Sequence, residues 1–336
     1  MLSSCSKDEL VGSASPAPAI SIVSNNLLFG PSGGTGQLEV SASGSVSYQL
    51  DASWCSATQS GNVITVTAQP NTDFNSRTAL LTLRSGESTR QVPIQQQGMA
   101  FGAASVSSYH ASMAGERAAF YVRHDLPVTV KTDADWLTAT MKDDSLIVVV
   151  QPFESHFVRR ATIEYESAGY TEKLVVSQYD RAEVLGTWYM GGTMSGASVG
   201  VRFTITDHEG QVCLNFYRME KWVKEYIPLE FDEGLCQFVF RSATRIYESE
   251  DGSTDTYYFF SSDGAVATSN NVTMIANLDY NDEWHSYYAL LDDEGKWGRG
   301  KLSGFLIRYA SGLITTNVIQ LNDPYIVRLG PVGIDY

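Results

Sequence analysis

An internal repeat constrains the fold of this chain more than any other feature of its sequence. At an offset of 82 residues, positions 51–96 align with positions 133–178 without a gap, and 13 of the 46 positions are identical. The chemically distinctive identities are Trp54/Trp136, Gln69/Gln151, Pro70/Pro152, Arg77/Arg159 and Gln96/Gln178. An ungapped match at one offset indicates duplication, so the first half of the chain is predicted to contain two copies of one module.

Each copy has the pattern of an all-β module. The runs NVITVTA (62–68) and SLIVVVQ (145–151) are rich in β-branched residues and follow polar turns. About seven short strands per copy predict a small immunoglobulin-like β-sandwich. We expect Trp54 and Trp136 to fill the sandwich cores, with a ligand platform as the alternative. Arg77 and Arg159 are expected to pair with a carboxylate or to cap a turn.

The two copies resemble a known family. The shared features are an Asp-Ala-x-Trp run, an Asn/Gln-Pro turn, an Arg-x-Ala strand and a closing Val-x-Ile-x-Gln-Gln. Over residues 20–180 this pattern resembles the BACON domain, the Bacteroidetes-associated, carbohydrate-binding, often N-terminal domain. The resemblance implies that the protein functions together with surface proteins that process glycans. A spacer role is equally compatible with it, and the family pattern supplies no binding residue to carry over.

The start of the chain contains a pattern that indicates where the protein is located in the cell. Leu2, Ser3 and Ser4 precede Cys5 in the pattern of a lipidated cysteine, although the basic and apolar regions of a signal peptide are missing. The acidic stretch after Cys5 resembles the flank of lipoproteins on the outer face of the outer membrane. Lipidation would anchor the protein to a membrane that it does not span, since no run of 18 apolar residues occurs. We therefore expect a lipid-anchored, cell-surface protein of the outer membrane.

Residues 183–336 have a different pattern, in which strand-like runs are separated by acidic-glycine turns. These turns are DHEG (207–210), DEG (232–234), EDG (250–252), SDG (262–264) and DDEG (292–295). Such turns join β-hairpins, and successive hairpins predict an antiparallel meander closed into a barrel, with a two-sheet sandwich as the alternative. The expected organisation is a tether at residues 1–19, a first sandwich at 20–98, a second sandwich at 99–182 and a barrel at 183–336.

A short motif at the start of the C-terminal region resembles the beginning of lipocalin-like barrels. Gly186, Thr187 and Trp188 match the Gly-x-Trp motif within LGTWYMGG. The resemblance implies that Trp188 closes one end of the barrel beneath a late-strand arginine, which would be Arg308 or Arg328. It also implies an open end that admits a ligand.

Composition and motifs argue against most catalytic classes. The net charge of −15 makes nucleic acid a poor partner. No phosphate loop or HExxH occurs, and the five histidines are not spaced for a metal site. We expect no enzymatic activity, no cofactor and no metal. Cys213 and Cys236 lie in strand-like runs and are expected either to form a disulfide or, as we favour, to be separate buried thiols.

The best binding candidate in the sequence is an aromatic hairpin near the C-terminus. Aromatic rings stack on the C–H faces of sugars, and acidic or basic neighbours bond the hydroxyls. The predicted ligand-binding residues are Trp284, Tyr288, Trp297, Asp282, Arg299 and, in a charged loop, Trp222. The alternative is that one face of this hairpin is core.

Three functions remain open from the sequence. The first is glycan binding or support of glycan uptake, with polysaccharide or oligosaccharide and outer-membrane uptake proteins as partners. The second is a barrel that binds a small apolar ligand or a protein partner, which an interior cavity lined by Val, Phe and Tyr would favour. The third, an uncharacterised glycoside hydrolase, requires two carboxyl groups facing each other across one cleft.

Overall fold

The computed structural model describes residues 20–218, 221–223 and 226–329. In this part of the chain the secondary structure is β-strand apart from one helical turn, α1 (Arg181–Val184). The all-β fold class is therefore confirmed. The predicted lipidation site Cys5 lies outside the described residues.

The chain forms two compact units. The first contains the described residues up to Gly102 together with Val122–Thr129 and Glu166–Thr171. The second contains Ala103–Tyr121, Val130–Tyr165 and the described residues from Glu172 onwards, so most of the second sandwich and the whole barrel belong to it.

The first sandwich has two four-stranded sheets, ordered β1–β3–β6–β5 and β2–β8–β7–β4. Its strands are β1 (Ser21–Asn25), β2 (Leu28–Phe29), β3 (Gly34–Ser41), β4 (Ser47–Leu50), β5 (Cys55–Ser60), β6 (Val63–Ala68), β7 (Arg77–Ser85) and β8 (Ser88–Gln96). Strands β3, β6 and β7 alternate between buried and more exposed residues, as expected when one face of a sheet covers a core. Leu38, Ile64, Leu81 and Ile94 are fully buried between the two sheets.

The second sandwich repeats this topology among the described residues except for a counterpart of β1, with a three-stranded sheet ordered β10–β13–β12 and a four-stranded sheet ordered β9–β15–β14–β11. Its strands are β9 (Ser108–Ala111), β10 (Glu116–Tyr121), β11 (Thr129–Thr132), β12 (Leu137–Lys142), β13 (Ser145–Val150), β14 (Arg159–Ser167) and β15 (Tyr170–Gln178). Each of the strands β11 to β15 begins 82 residues after its counterpart among β4 to β8. The duplication read from the sequence is thus also a duplication of strands.

The repeated tryptophan and arginine form one contact in both copies. The Arg77 guanidinium lies over the Trp54 ring with its Cζ 4.6 Å from the ring centroid, and Arg159 lies 4.4 Å from that of Trp136. Both tryptophans are half-buried, and Trp54 packs against the core of its sandwich. Trp54 therefore has the packing role predicted from the sequence.

Each of these arginines also caps a turn, as predicted. Arg77 Nη2 donates to the carbonyl oxygens of Gln69 and Pro70, and its Nε donates to Gln96 Oε1. In the second copy, Arg159 makes the equivalent bonds to Gln151, Pro152 and Gln178. The side-chain bond explains why the arginine and the closing glutamine recur together, since the bonds to the Gln-Pro turn use backbone carbonyl oxygens.

The described residues from Gly186 onwards form a nearly closed, barrel-shaped antiparallel sheet. Its strands are β16 (Gly186–Met194), β17 (Ala197–His208), β18 (Gln211–Arg218), β19 (Lys221–Trp222), β20 (Ile227–Pro228), β21 (Glu230–Asp232), β22 (Gln237–Arg241), β23 (Thr244–Glu248), β24 (Thr254–Ser261), β25 (Val266–Ala267), β26 (Thr273–Asn277), β27 (Asp279–Asn281), β28 (Ser286–Asp293), β29 (Leu302–Ser311) and β30 (Ile314–Arg328). The five predicted acidic-glycine turns all lie at the ends of these strands.

The order of the strands differs from a simple meander. The fifteen-residue strand β30 pairs with β16 along one edge, and with β29 and then β28 along the other. Strand β24 pairs with β29, whereas β22 pairs with β26. The length of β30 allows this forked pairing, because one strand can serve two partners only along different stretches.

The described cysteines are separate buried thiols. Cys55, Cys213 and Cys236 form no disulfide, so the unbridged alternative for Cys213 and Cys236 is correct. Burial raises the pKa of the Cys236 thiol to about 12. Among the described residues, no helix is long and apolar enough to cross a membrane.

Candidate functional site

The barrel contains a cavity of about 680 Å³. Its apolar wall comes from β17, β18, β23, β29 and β30 and consists of Val201, Phe216, Ile246, Ile307, Val318 and Ile319. Three tyrosines, one from each of three strands, also line it: Tyr217, Tyr247 and Tyr309. Polar residues complete the lining, namely Ser249, Asp251, Ser253, Asp255 and Thr316.

The cavity stays open because of where the large side chains lie. Elsewhere the barrel interior is filled by aromatic rings, such as those of Phe203, Phe240 and Phe305, which are fully buried. Around the cavity the buried apolar positions of the wall are Phe216, Ile246 and Ile307, so only one of the three carries an aromatic ring. Aliphatic side chains occupy less volume than the rings, so the interior is left unfilled at this end.

Asp255 is a buried carboxylate in this otherwise largely apolar lining, with 3% of its surface exposed. It lies on β24, whose alternation places Asp255 on the same face as Tyr257 and Phe259, both part of the barrel core. The sequence interpretation missed Asp255. The signal was present in TDTYYFF, where the residue at the inward spacing is acidic rather than aromatic.

A compact polar turn between β23 and β24 borders the cavity. The Asp251 carboxylate accepts hydrogen bonds from the hydroxyl groups of Ser249 and Ser253 and from the Ser253 backbone N–H at 3.0 Å. These bonds lower the pKa of Asp251 to about 2, with the Ser249 hydroxyl as the largest cause. Asp251 thus maintains a turn, whereas Asp255 is the inward-facing acid.

The short Gly-Thr-Trp motif lies at the other end of β30 from the cavity residues Thr316 and Val318. Trp188 is fully buried, and its indole Nε1 donates to the Val184 carbonyl oxygen at 3.1 Å. Arg328 pairs in register with Trp188, is 6% exposed and donates from Nε to Leu185 O. Of the two arginines considered from the sequence, Arg328 is therefore the one beside Trp188.

Arg308, the other arginine, has a different environment. Its Nε donates to Asn317 Oδ1 at 3.0 Å, and its guanidinium lies 5.3 Å from the centroid of the Tyr258 ring. Arg308 does not line the cavity, because it lies on the face of β29 opposite to Tyr309.

The predicted aromatic site is only partly assembled. Trp284 is 60% exposed in the turn before β28, and Tyr288 is half-buried on β28. Their ring centroids are 5.9 Å apart, but the ring planes are inclined at 73°, so the two rings do not form a flat platform. Tyr287, between them in sequence, is fully buried, so one face of this hairpin belongs to the core.

The remaining predicted residues are dispersed. Trp297 is half-buried and packs against the barrel core. Arg299 is exposed in the segment between β28 and β29, and Asp282 is exposed at the end of β27. The side chain of Trp222 is not among those that the structure describes.

A second, more polar cleft in the same compact unit contains Asp282. It is lined by Glu154, His156, Asp180, Glu183, Tyr280 and neighbouring residues. His156 Nδ1 lies 2.6 Å from Glu183 Oε1, and the buried Tyr287 hydroxyl donates to Glu183 Oε2 at 3.3 Å. Burial and the nearby Glu183 raise the pKa of Tyr287 above its usual value. No group of three or more potential ligands suited to a metal ion occurs among the residues that the structure describes.

Comparison with known families identifies part of the first sandwich. Residues 36–97 match the BACON family. The family is described as "Putative binding domain, N-terminal", and the match covers strands β3 to β8. The BACON domain is thus confirmed for the first copy. The second copy shares its strand order and its 82-residue spacing.

Comparisons with whole proteins are less informative. No curated protein matches the chain. A three-domain immunoglobulin structure of titin, I67–I69, is 9% identical, with coverage of 90% of this chain and 97% of that chain, at a TM-score of 0.28. An endo-fucoidan hydrolase of glycoside hydrolase family 107 is 11% identical at a TM-score of 0.27, over 50% of this chain and only 30% of that hydrolase. These TM-scores are too low to support an inference.

Proposed function

We propose that the C-terminal barrel binds a small, largely apolar molecule in its interior cavity. The observation that carries this proposal is the 680 Å³ cavity lined by Val, Ile, Phe and Tyr side chains. Its volume lies within the roughly 300–1,000 Å³ typical of small-molecule sites, and such sites combine an apolar wall with a few polar groups. The protein acts in this proposal by binding, without catalysis.

Two further features support a ligand-binding barrel. Tyr217 and Val318 line the cavity yet are 37% and 58% exposed, so the cavity has an opening to solvent. The buried pair of Trp188 and Arg328 on neighbouring strands supports the proposal of a lipocalin-like barrel with one closed end. A ligand would enter beside Val318 and lie against Phe216, Ile246 and Ile307.

The proposal is tested with a neutral apolar fluorophore, N-phenyl-1-naphthylamine, titrated into the full chain. Val318→Trp places a large ring at the opening and should weaken binding by roughly tenfold, about 1.4 kcal/mol. Val149→Trp is the matched control, because Val149 is an exposed strand valine of the second sandwich. Unchanged binding in Val318→Trp, or no binding by the wild-type chain, would contradict the proposal.

We also propose a glycan-related role, as a second function of the same chain. The BACON match at residues 36–97 supports it, together with the exposed ring of Trp284 beside Tyr288. Asp282 and Arg299 are exposed in neighbouring segments and would bond sugar hydroxyls, while Trp297 supports the hairpin from the core. Polysaccharide or oligosaccharide is the expected ligand, and uptake proteins of the outer membrane are the expected partners.

A glycan array probed with the full chain tests this second function. Trp284→Ala should abolish binding to any glycan that the wild type retains. Tyr121→Ala is the control, since Tyr121 has a similar exposure of 58% on the second sandwich. Equal retention by both variants would exclude Trp284 as the sugar platform.

We propose separately that the protein is located at the cell surface, and this proposal depends on Cys5. A lipidated Cys5 would anchor the protein at the outer membrane without any spanning segment. Metabolic labelling with a fatty-acid analogue should mark the wild-type protein in cells and not Cys5→Ser. Label retained by Cys5→Ser would refute lipidation at this residue.

A further inference from the structure

Three cavity residues form a row across three neighbouring strands. Tyr247 on β23 and Tyr309 on β29 are both register partners of Asp255 on β24. Residues directly opposite one another on antiparallel strands have side chains on the same face, with Cβ atoms roughly 5 Å apart. All three line the cavity. The cavity wall therefore contains a carboxylate between two tyrosines.

A third aromatic ring, that of Tyr217 on β18, lines the same cavity. Aromatic faces attract cations through the ring quadrupole, and clusters of such rings recognise quaternary ammonium groups. A carboxylate adds a direct charge interaction, which is stronger in a buried site than in water. Together, the tyrosines and Asp255 provide the two kinds of attraction that an organic cation requires.

The charges around the cavity favour a cation over an anion. None of the described residues that line it is Lys, Arg or His. Arg308 is next to Tyr309 in sequence but is engaged with Asn317 and the Tyr258 ring, outside the cavity. Residues 183–336 contain 21 acidic and 11 basic side chains, and a negative field of this kind attracts cations toward the barrel.

We propose that the cavity selects an organic monocation, with its ammonium group between Tyr247, Asp255 and Tyr309 and its apolar body against the aliphatic wall. This inference rests on the proposed ligand-binding function and names the chemical class of the ligand. Neither a carboxylic acid nor a neutral alcohol would complement Asp255 in the same way, because only a cation offsets the charge of a carboxylate.

The test compares three probes that share an eight-carbon chain: octyltrimethylammonium, 1-octanol and octanoate. Isothermal titration calorimetry on the full chain should give octyltrimethylammonium an affinity roughly tenfold higher than that of 1-octanol. Octanoate should bind most weakly. Binding of 1-octanol reports the cavity alone, and the difference between the first two probes reports the cation preference.

Two variants test which residues cause the preference for the cation over 1-octanol. Asp255→Asn keeps the shape of the side chain and should remove most of the tenfold preference for the cation over 1-octanol. Tyr309→Leu, at a half-buried position, keeps an apolar side chain but removes the ring, and should lower the affinity for the cation by more than the affinity for 1-octanol. Asp292→Asn is the control for net charge, because Asp292 is an exposed carboxylate of β28 outside the cavity.

The outcomes separate this inference from the function on which it rests. If 1-octanol and octyltrimethylammonium bind the wild type equally, the cavity binds ligands but the cation preference is wrong. A preference that persists unchanged in both Asp255→Asn and Tyr309→Leu also overturns the inference. If none of the three probes binds, both the ligand-binding function and the inference are wrong.

Discussion

Arg77 and Arg159 connect five of the 13 identities that reveal the repeat, counting the arginine itself. Each guanidinium holds a tryptophan face, two carbonyl oxygens of a Gln-Pro turn and a glutamine side chain. A planar, forked donor is needed to make these contacts together, and lysine cannot replace it. The repeated tryptophan is therefore one member of a structural cluster, which is why it marks the module without marking its function.

Arg77→Lys should destabilise the first sandwich by about 1–2 kcal/mol, because it keeps the charge but loses the forked hydrogen bonds. Hydrogen exchange should accelerate in β7 and β8 of the full chain and remain unchanged in β14 and β15. Arg84→Lys is the control, since Arg84 is exposed on the same strand. Equal exchange in Arg77→Lys and the wild type would show that the cluster contributes nothing to stability.

At the scale of the element, the sequence predicted strands and turns better than their pairing. Alternation of buried residues and acidic-glycine turns are local signals, so β17, β18, β24 and the turns at their ends could be predicted from short windows. Pairing of β24 with β29 joins residues about fifty positions apart and leaves no local signal. The cavity depends on that pairing, so Asp255 could not be placed beside Tyr309 from the sequence.

The positions at which the two copies differ are equally informative. Arg160 corresponds to Thr78 at the 82-residue offset, and Tyr179 corresponds to Gln97. In the second copy Arg160 donates to the carbonyl oxygens of Leu235 at 3.0 Å and of Leu278 at 2.5 Å. The Tyr179 hydroxyl donates to Glu233 O at 3.0 Å. Arg160 on β14 and Tyr179 directly after β15 thereby hold the segment between β21 and β22, and Arg160 also holds the link between β26 and β27 at Leu278. Thr78 and Gln97, at these positions of the first copy, lack the guanidinium and the phenol that make these bonds.

Arg160→Met should loosen both segments, because it leaves the Leu235 and Leu278 carbonyl oxygens without their side-chain donor. Each such loss costs about 1–3 kcal/mol when the group is shielded from water. Hydrogen exchange should increase around residues 233–238 and 276–280. Arg117→Met, at an exposed arginine of β10, is the control and should leave both segments unchanged. Unaltered hydrogen exchange in Arg160→Met would mean that these bonds hold neither segment.

At the scale of the whole molecule, buried ionisable groups set the response of stability to alkali. Burial raises the pKa of Tyr257 to about 12 and that of Cys236 to about 12, from ordinary values of 10.0 and 9.0. The unfolded chain therefore loses these protons first as the pH rises. The stabilisation is fully present below about pH 9 and is lost progressively between pH 9 and 12.

Tyr257→Phe should make this alkaline loss of stability shallower, because it removes one group that titrates in the unfolded chain before the folded one. Between pH 10 and 12, the slope of the unfolding free energy against pH should decrease by at most about 1.4 kcal/mol per pH unit. Below pH 10 the slope should be unchanged, because the loss of stability there comes from the Cys236 thiol, which the variant retains. Urea unfolding of the full chain at a series of pH values measures the slope, and Tyr121→Phe, at an exposed tyrosine, should match the wild type throughout. A slope above pH 10 that is the same in Tyr257→Phe and Tyr121→Phe would mean that the Tyr257 phenol is not a source of the alkaline instability.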